Sequence, residues 1–332
     1  MKPITSSEIA ALWTSYIQNS LSTCVLQYFL TMVEDPDVTP FLENMYQLTS
    51  SNTTTIKDLF ANEGIPAPLG FTEEDVNPNA GRLFDDTFFL TYLYRMTKVG
   101  MISYSIFQSM SVRSDIEKFF SLSLKQLSDM HNGCTEMMLA KGILIRPPYI
   151  PIQETAEFVE SNRYFKGYSI FGENRPLNAI EIAHLHENIQ TNLLGMMLCN
   201  GFSQVARSQL VRDNLYRGAE IAKKHIEIFS KLLLDSNVQA PMTWDNQSLV
   251  SKTAPFSDKL MMYHIHLLIA SGIGNYATSA AASLRRDITA TYGRLSLEVA
   301  QYAQDGAKLM VDKGWLEEPP QMVDRKALKN RG

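Results

Sequence analysis

The chain has 332 residues and a formal net charge of −5, with 45% hydrophobic and 20% charged residues. This length is sufficient for two domains, and the composition is that of a globular protein. The negative charge argues against a basic face for nucleic acid. No apolar run reaches the about 18 residues of a transmembrane helix, and no signal-peptide core is predicted at the first residues.

The three cysteines, Cys24, Cys134 and Cys199, are scattered along the chain. An odd number without CxxC spacing disfavours a disulfide framework or a zinc finger. Cys24 and Cys199 lie on apolar helical stretches and are predicted to be buried thiols. This usage fits a reducing compartment, so we expect a cytoplasmic protein.

Four long segments of the first half carry apolar residues at three- and four-residue spacing, which predicts helices. They cover residues 6–33, 38–62, 82–110 and 113–141. Thr5 offers an N-cap ahead of Glu8, while Gly64 and Gly142 are expected to end the second and fourth helices.

The connection between the second and third predicted helices, residues 66–81, is long and irregular. A helix of about 28 residues is about 42 Å long, and about 15 extended residues cover about 50 Å. The connection can therefore return along the whole bundle. Two helical hairpins joined by one long crossover are typical of the ferritin-like four-helix bundle.

The second half repeats this pattern, with helices predicted over residues 178–206, 209–234, 256–283 and 284–313. The predicted organisation is one bundle at residues 1–146, a linker at 147–176, a second bundle at 177–320 and a polar tail at 321–332. The linker begins as an extended Pro-rich segment. Its apolar stretches, Glu157-Phe158-Val159 and Tyr164 to Tyr168, are expected to pack across the two bundles.

The two halves match each other in one register, which indicates a tandem duplication. A shift of 173 residues places Glu8 on Glu181 and Asn19 on Asn192. After the long connection the shift is 172. The later matches are Phe84 with Phe256, Tyr104 with Tyr276, Arg113-x-Asp115 with Arg285-x-Asp287, and Lys141-Gly142 with Lys313-Gly314. The sequence therefore predicts an all-α protein made of two ferritin-like four-helix bundles.

The histidines break this symmetry. His131 lies in the first half, whereas the second half contains five: His184, His186, His225, His264 and His266. None of the five has a histidine at its matched position; Asn52 matches His225, and Tyr92 matches His264. The second half is therefore the candidate for a site.

Helical spacing predicts which of these side chains face inward. His225 and His264 lie on apolar stripes and are expected in the core, while His266 is expected outside. His184 shares a face with Glu181, and Glu298 and Asp305 share a face of the last helix. We therefore predict that the second bundle gathers five candidate metal ligands: His184, His225, His264, Glu298 and Asp305.

Other interpretations remain open at this stage. A lone histidine on an apolar stripe is usually a hydrogen-bonded core residue. The di-iron pattern needs Glu-x-x-His on two helices, but only Glu181 to His184 provides it, so a standard di-iron oxidase is disfavoured. A mononuclear transition-metal site (iron, manganese or zinc), or a polar cavity without metal, fits these residues better.

Several stretches resemble the family called domain of unknown function 3231, and the resemblance covers nearly the whole chain. They are Phe71 to Asn77, Ile145 to Pro151, Arg175 to Asn178, Gly201 to Ala206, Ala240 to Asp245, and Pro255 to Met262. The resemblance implies two fused ferritin-like bundles from a spore-forming bacterium, without an assigned activity. Each half is more distantly similar to the spore coat protein F family through Lys313-Gly314-Trp315 and Pro319-Pro320.

Three functions follow as alternatives. The first is a protein linked to sporulation or stress whose second bundle binds a metal ion or a small polar ligand. The second is a metal-dependent oxidoreductase of ferritin-like type. The third is a spore-coat or interaction protein without a site, which associates with coat proteins or with itself and whose histidines are core residues.

Overall fold

A computed structural model describes residues 3–167, 175–241 and 248–322, which form eight α-helices and no sheet. The helices are α1 (Ser6–Met32), α2 (Thr39–Asn62), α3 (Asp86–Met110), α4 (Ser114–Ala140), α5 (Ala179–Val205), α6 (Gln209–Leu234), α7 (Asp258–Ala282) and α8 (Arg286–Asp312). All eight predicted helices are confirmed, and their ends differ from the predicted ones by at most four residues.

The first helix of each half begins with the same capping box. Thr5 caps α1 and Asn178 caps α5, and in each case a glutamate three residues later bonds back to the cap backbone. Glu8 also accepts hydrogen bonds from the backbone N–H groups of Val112 and Arg113, at 3.0 and 2.8 Å. One buried carboxylate therefore fixes both the start of α1 and the junction between α3 and α4.

These contacts set the direction of the helices. The start of α1 lies beside the end of α3, while Arg82, just before α3, pairs with Glu34 at the end of α1 at 2.6 Å. Arg113 pairs with Glu63 at the end of α2. The connection between α2 and α3 therefore runs the length of the bundle, as its length predicted.

The residues that end the helices adopt the same backbone conformation in the two halves. Gly142 and Gly314 follow α4 and α8, and both have φ of 67°. After α2 the left-handed residue is Gly64, whereas Asn237 occupies the matched position after α6 with φ of 58°. Glycine and asparagine are the residues that adopt this conformation most readily, so the same turn forms in both halves although the residue differs.

The two long connections meet each other between the halves. Val76 forms an isolated antiparallel bridge with Phe256, and Phe84 forms one with Ser248. The two bridges are related by the duplication, because a shift of 172 residues converts Val76 to Ser248 and Phe84 to Phe256. Phe84 pairs in this way instead of starting α3, which explains why that helix begins four residues later than predicted.

Aromatic rings fill the space behind these bridges. Phe256 packs edge-on against Tyr28 at 5.2 Å between ring centroids and against Phe202 at 5.9 Å. Phe84 lies over Gly201, where an added Cβ would stand 2.6 Å from the ring. One buried cluster consequently includes residues of both halves, and a second, smaller cluster belongs to the second half alone.

The linker corrects one prediction. Phe158 is 98% exposed and Val159 is also exposed, so this stretch does not pack across the bundles. The apolar character of a short stretch does not identify a buried partner. Tyr164 does pack, but on the entry to α5: the Arg175 guanidinium lies 3.9 Å from its ring centroid and Asn178 donates to its hydroxyl.

No helix among the described residues combines the length and apolar character needed to cross a bilayer. All three cysteines are buried and free, as predicted for Cys24 and Cys199. Three parts of the predictions lie outside the described residues: Tyr168, residues 242–245 of the Ala240 to Asp245 stretch, and most of the predicted tail, from residue 323.

Candidate functional site

Each bundle contains a cavity at the same place in the repeat. The cavity of the second half measures about 80 Å³ and that of the first half about 90 Å³. Asn192 and Tyr276 line one, and their matched residues Asn19 and Tyr104 line the other. Leu268 of α7 lies in the wall of both. The duplication has therefore kept an internal space as well as a fold.

Mostly aliphatic side chains surround the second-half cavity. Its remaining walls are glycines and a few polar groups. Gly195 and Gly272 lie on facing helices, and a Cβ at either position would meet no atom within 4 Å. Because glycine costs about 1 kcal/mol relative to alanine within a helix, these two residues keep the cavity open at some expense of helix stability.

A chain of four hydrogen-bonded side chains, one from each helix of the second bundle, borders this cavity. Asn192 of α5 donates from Nδ2 to the Tyr276 hydroxyl of α7 at 2.7 Å. That hydroxyl lies 2.9 Å from Nδ1 of His225 on α6. Nε2 of His225 lies 3.2 Å from Glu298 Oε2 on α8, and Lys224 holds the same carboxylate from outside at 2.7 Å. We call these four residues the polar chain.

The polar chain fixes where its protons lie. An ionised carboxylate only accepts hydrogen bonds, so His225 donates from Nε2 to Glu298. Its Nδ1 is then an acceptor in the neutral ring, and Tyr276 donates to it. Asn192 donates to one lone pair of the Tyr276 oxygen, which leaves the other lone pair without a donor among the described residues, and Tyr276 lines the cavity. The site thus presents a hydrogen-bond acceptor to whatever enters.

The electrostatic environment supports this assignment. Burial lowers the pKa of His225, against the opposing effect of Glu298, so the ring is neutral near pH 7. Burial alone would raise the pKa of Glu298, but hydrogen bonds from Lys224 and His225 outweigh it and the pKa lies below its ordinary value. Burial also raises the pKa of Tyr276, so its phenol stays protonated.

The first half lacks this chain. Asn52 stands where His225 does and bonds instead to Asn19 at 3.4 Å and to Ser123 at 3.2 Å. Asn19 still donates to the Tyr104 hydroxyl at 2.6 Å. The pair of asparagine and tyrosine is therefore common to both bundles, whereas the imidazole and carboxylate belong to the second alone.

The structure does not bring the five predicted metal ligands together. His225 and Glu298 meet, and His225 is fully buried as predicted. His184 is only half-buried and lies 3.1 Å from Ser279. Asp305 is 47% exposed and pairs with Arg217 at the surface at 2.7 Å, so its expected place inside the bundle is wrong. The seven-residue spacing does place Asp305 on the same face of α8 as Glu298, but that face meets Arg217 and Lys224 at the surface of the bundle.

His264 is buried as predicted, but it faces the first half. Its Nε2 lies 3.2 Å from the Tyr92 hydroxyl, and the ring lines the first-half cavity. His266, expected outside, is half-buried, and burial lowers its pKa. Across residues 3–167, 175–241 and 248–322, no group of three His, Cys, Asp or Glu side chains has an arrangement that could hold a metal. Metal binding stays a prediction, reduced to His225 and Glu298.

Sequence reasoning missed Asn192 and Tyr276 as members of the site. Both served only to establish the register of the duplication. The signal was available, since each is a polar residue on a helix of the core and each is identical at its matched position in the other half. Polar residues that survive in both copies of a repeat mark a shared internal network.

One family model matches the chain twice, in agreement with the duplication. The family model described as Protein of unknown function (DUF3231) matches residues 1–155 and again residues 165–328. A crystal structure of a "putative spore coat protein" from Bacillus halodurans C-125 is similar at 20% identity and a TM-score of 0.40, over 46% of this chain and 98% of that one. No curated protein matches the chain.

Proposed function

The chain belongs to the family Protein of unknown function (DUF3231), and we propose that its second bundle binds a small, mainly apolar molecule carrying a hydroxyl group. The polar chain carries this proposal. It leaves one acceptor, the Tyr276 oxygen, at the wall of a cavity that is otherwise mostly aliphatic. Ligand sites commonly combine apolar walls with a few fixed polar groups.

The size of the cavity limits the ligand. A volume of about 80 Å³ exceeds the roughly 10–15 Å³ that one water occupies and is smaller than the roughly 150 Å³ that accepts benzene in an engineered cavity. Short-chain alcohols fit both this volume and the acceptor. The ligand's hydroxyl would donate to Tyr276, and its carbon chain would lie against Ile265 and Ile269.

The test compares ethanol with dimethyl ether, which has the same number of heavy atoms and no hydrogen-bond donor. Binding is followed by the methyl NMR signals of Ile265 and Ile269. We expect the alcohol to bind about tenfold more tightly, the effect of roughly one hydrogen bond. Equal affinity for the two molecules would contradict the proposal.

Three variants make the test specific. Gly272→Leu places a side chain into the cavity and should abolish binding, whereas Gly274→Leu, on the same helix but exposed, should leave it intact. His225→Asn introduces the residue of the first half and should remove the preference for the alcohol. If Gly272→Leu still binds the alcohol, the cavity is not the site.

A metal ion is the second candidate, and it rests on the approach of His225 to Glu298 at 3.2 Å from facing helices. Imidazole and carboxylate are suitable ligands for transition metals. Metal content of untagged protein, measured by mass spectrometry with and without His225→Asn, tests it. Stoichiometric metal in the unmodified protein that is lost in His225→Asn would support a metal site. A metal-dependent oxidoreductase activity would require this metal to be present. Protein that stays free of metal after reconstitution would exclude both.

A further inference from the structure

A histidine of the second half lines the first-half cavity and has a ring nitrogen without a hydrogen-bond partner among the described residues. His264 of α7 lines this cavity together with Leu267 and Leu268. The side chain is 2% exposed, and its Nδ1 has no hydrogen-bond partner among the described residues. A buried polar atom without a partner is destabilising, so this atom requires an explanation.

The partner of the other ring nitrogen decides what Nδ1 needs. Nε2 lies 3.2 Å from the hydroxyl of Tyr92, which is itself buried and bonds to no other group in the described part of the chain. If Nε2 carried the proton, the Tyr92 O–H would have no acceptor and Nδ1 would have no donor. If Tyr92 donates to Nε2, only the Nδ1–H remains unpaired. The second arrangement leaves fewer groups unsatisfied, so Nδ1 carries a proton and needs an acceptor.

The surroundings exclude a charged ligand. The cavity is lined mainly by aliphatic and methionine side chains, including Met45, Met96 and Val99, and contains no ionised residue. Burial lowers the pKa of His264 to about 4, so the ring is neutral at pH 7. An anion would gain no opposite charge here and would lose its hydration.

We propose that the first-half cavity binds a small, uncharged and mainly apolar molecule with a carbonyl oxygen, which accepts the Nδ1–H of His264. The volume of about 90 Å³ again limits the ligand to a few heavy atoms. The first-half cavity shares the asparagine–tyrosine pair with the second-half cavity and differs from it by the donor that His264 provides. This inference stands independently of the second-half site.

The probe is acetone, compared with 2-methylpropene, which replaces the carbonyl oxygen by a CH₂ group of similar shape. In protein labelled with ¹⁵N-histidine, acetone should move the His264 Nδ1–H signal downfield. The ketone should bind about tenfold more tightly than the alkene, as expected for about one hydrogen bond. The methyl signals of Met45 and Met96 report both affinities.

The matched variant is the double substitution Tyr92→Phe and His264→Phe. It removes both polar partners together and keeps aromatic rings of similar size, which is nearly neutral for stability in favourable cases. It should bind ketone and alkene equally, while His225→Asn should leave the ketone preference unchanged. An Nδ1–H signal that does not respond to saturating acetone, or equal affinities in the unmodified protein, would overturn the proposal and leave water as the occupant.

Discussion

Tyr92 and His264 occupy the same position in the two copies of the repeat, and their side chains are in contact, with 3.2 Å between the Tyr92 hydroxyl and Nε2 of His264. Residues related by a duplication can touch each other only near the local axis that relates the two copies. The paired bridges of Val76 with Phe256 and of Phe84 with Ser248 are exchanged by the same operation. The two halves are therefore packed as a pseudo-symmetric dimer within one chain.

The polar chain predicts different outcomes for two substitutions of His225. His225→Asn should fold with a loss of at most about 1 kcal/mol, because Asn52 already fills the matched position of the first half. His225→Leu should cost about 1–3 kcal/mol more, because the buried Tyr276 hydroxyl then loses its acceptor. Urea unfolding of both variants measures the difference. Equal losses would show that Tyr276 finds another acceptor.

Acid should destabilise the protein through its buried histidines. Burial lowers the pKa of His264 from 6.5 to about 4, and it also lowers the pKa of His225. Below about pH 6.5 these histidines therefore bind protons in the unfolded chain but stay neutral in the folded chain. The free energy of unfolding then falls as the pH decreases toward 4, by up to about 1.4 kcal/mol per pH unit for each histidine.

The variant that replaces Tyr92 and His264 by phenylalanine isolates this effect. The free energy of unfolding, measured by urea between pH 7.5 and 4.5, should fall less steeply than in the unmodified protein, because one titrating group is gone. At pH 7.5, where His264 is neutral in both states, the slopes should coincide. Parallel curves over the whole range would mean that His264 titrates normally in the folded state.

The carboxylates at the start of each half should be among the most sensitive single positions. Glu8 is fully buried and accepts from Thr5, Val112 and Arg113. Glu8→Gln should lower the free energy of unfolding by about 1–3 kcal/mol, since an amide replaces one accepting oxygen by a donor.

Glu181→Gln should cost at least as much, because Arg175 also loses its carboxylate partner at 2.7 Å. The control is Glu43→Gln on the exposed face of α2, which should stay within about 0.5 kcal/mol of the unmodified protein. Chemical unfolding of the three variants under one set of conditions gives the comparison. A loss at Glu8 no larger than at Glu43 would contradict the role given to the capping box.

The linker should tolerate change at one place and not at another. Phe158→Ser should alter stability by less than about 0.5 kcal/mol, since its ring is exposed. Tyr164→Ala should cost about 1–2 kcal/mol, because it removes the ring beneath Arg175 and the acceptor of Asn178. Thermal unfolding distinguishes the two. A large loss at Phe158 would restore the expectation that this stretch packs between the bundles.

The sequence determined the helices and their order. Apolar spacing, the Thr5 cap and the glycine stops act within a few residues, so the sequence contains them in full. The length of the residue 66–81 connection also determined that it runs along the bundle. The burial of His225 and His264 followed from their position on apolar stripes of their own helices.

Only the tertiary structure decided which neighbour each inward side chain meets. Helical spacing gives the direction of a side chain from its own axis, but it does not say which helix lies there. His264 was therefore correctly predicted as buried and wrongly grouped with His225, because α7 faces the first half at that point. Asp305 was misplaced for a related reason: its spacing puts it on the face of Glu298, but only the structure shows that Arg217 lies beside this face at the surface. The ferritin-like relationship and the link to sporulation stay predictions, whereas the two cavities and the donor that His264 adds to the first one emerge only when both halves are packed together.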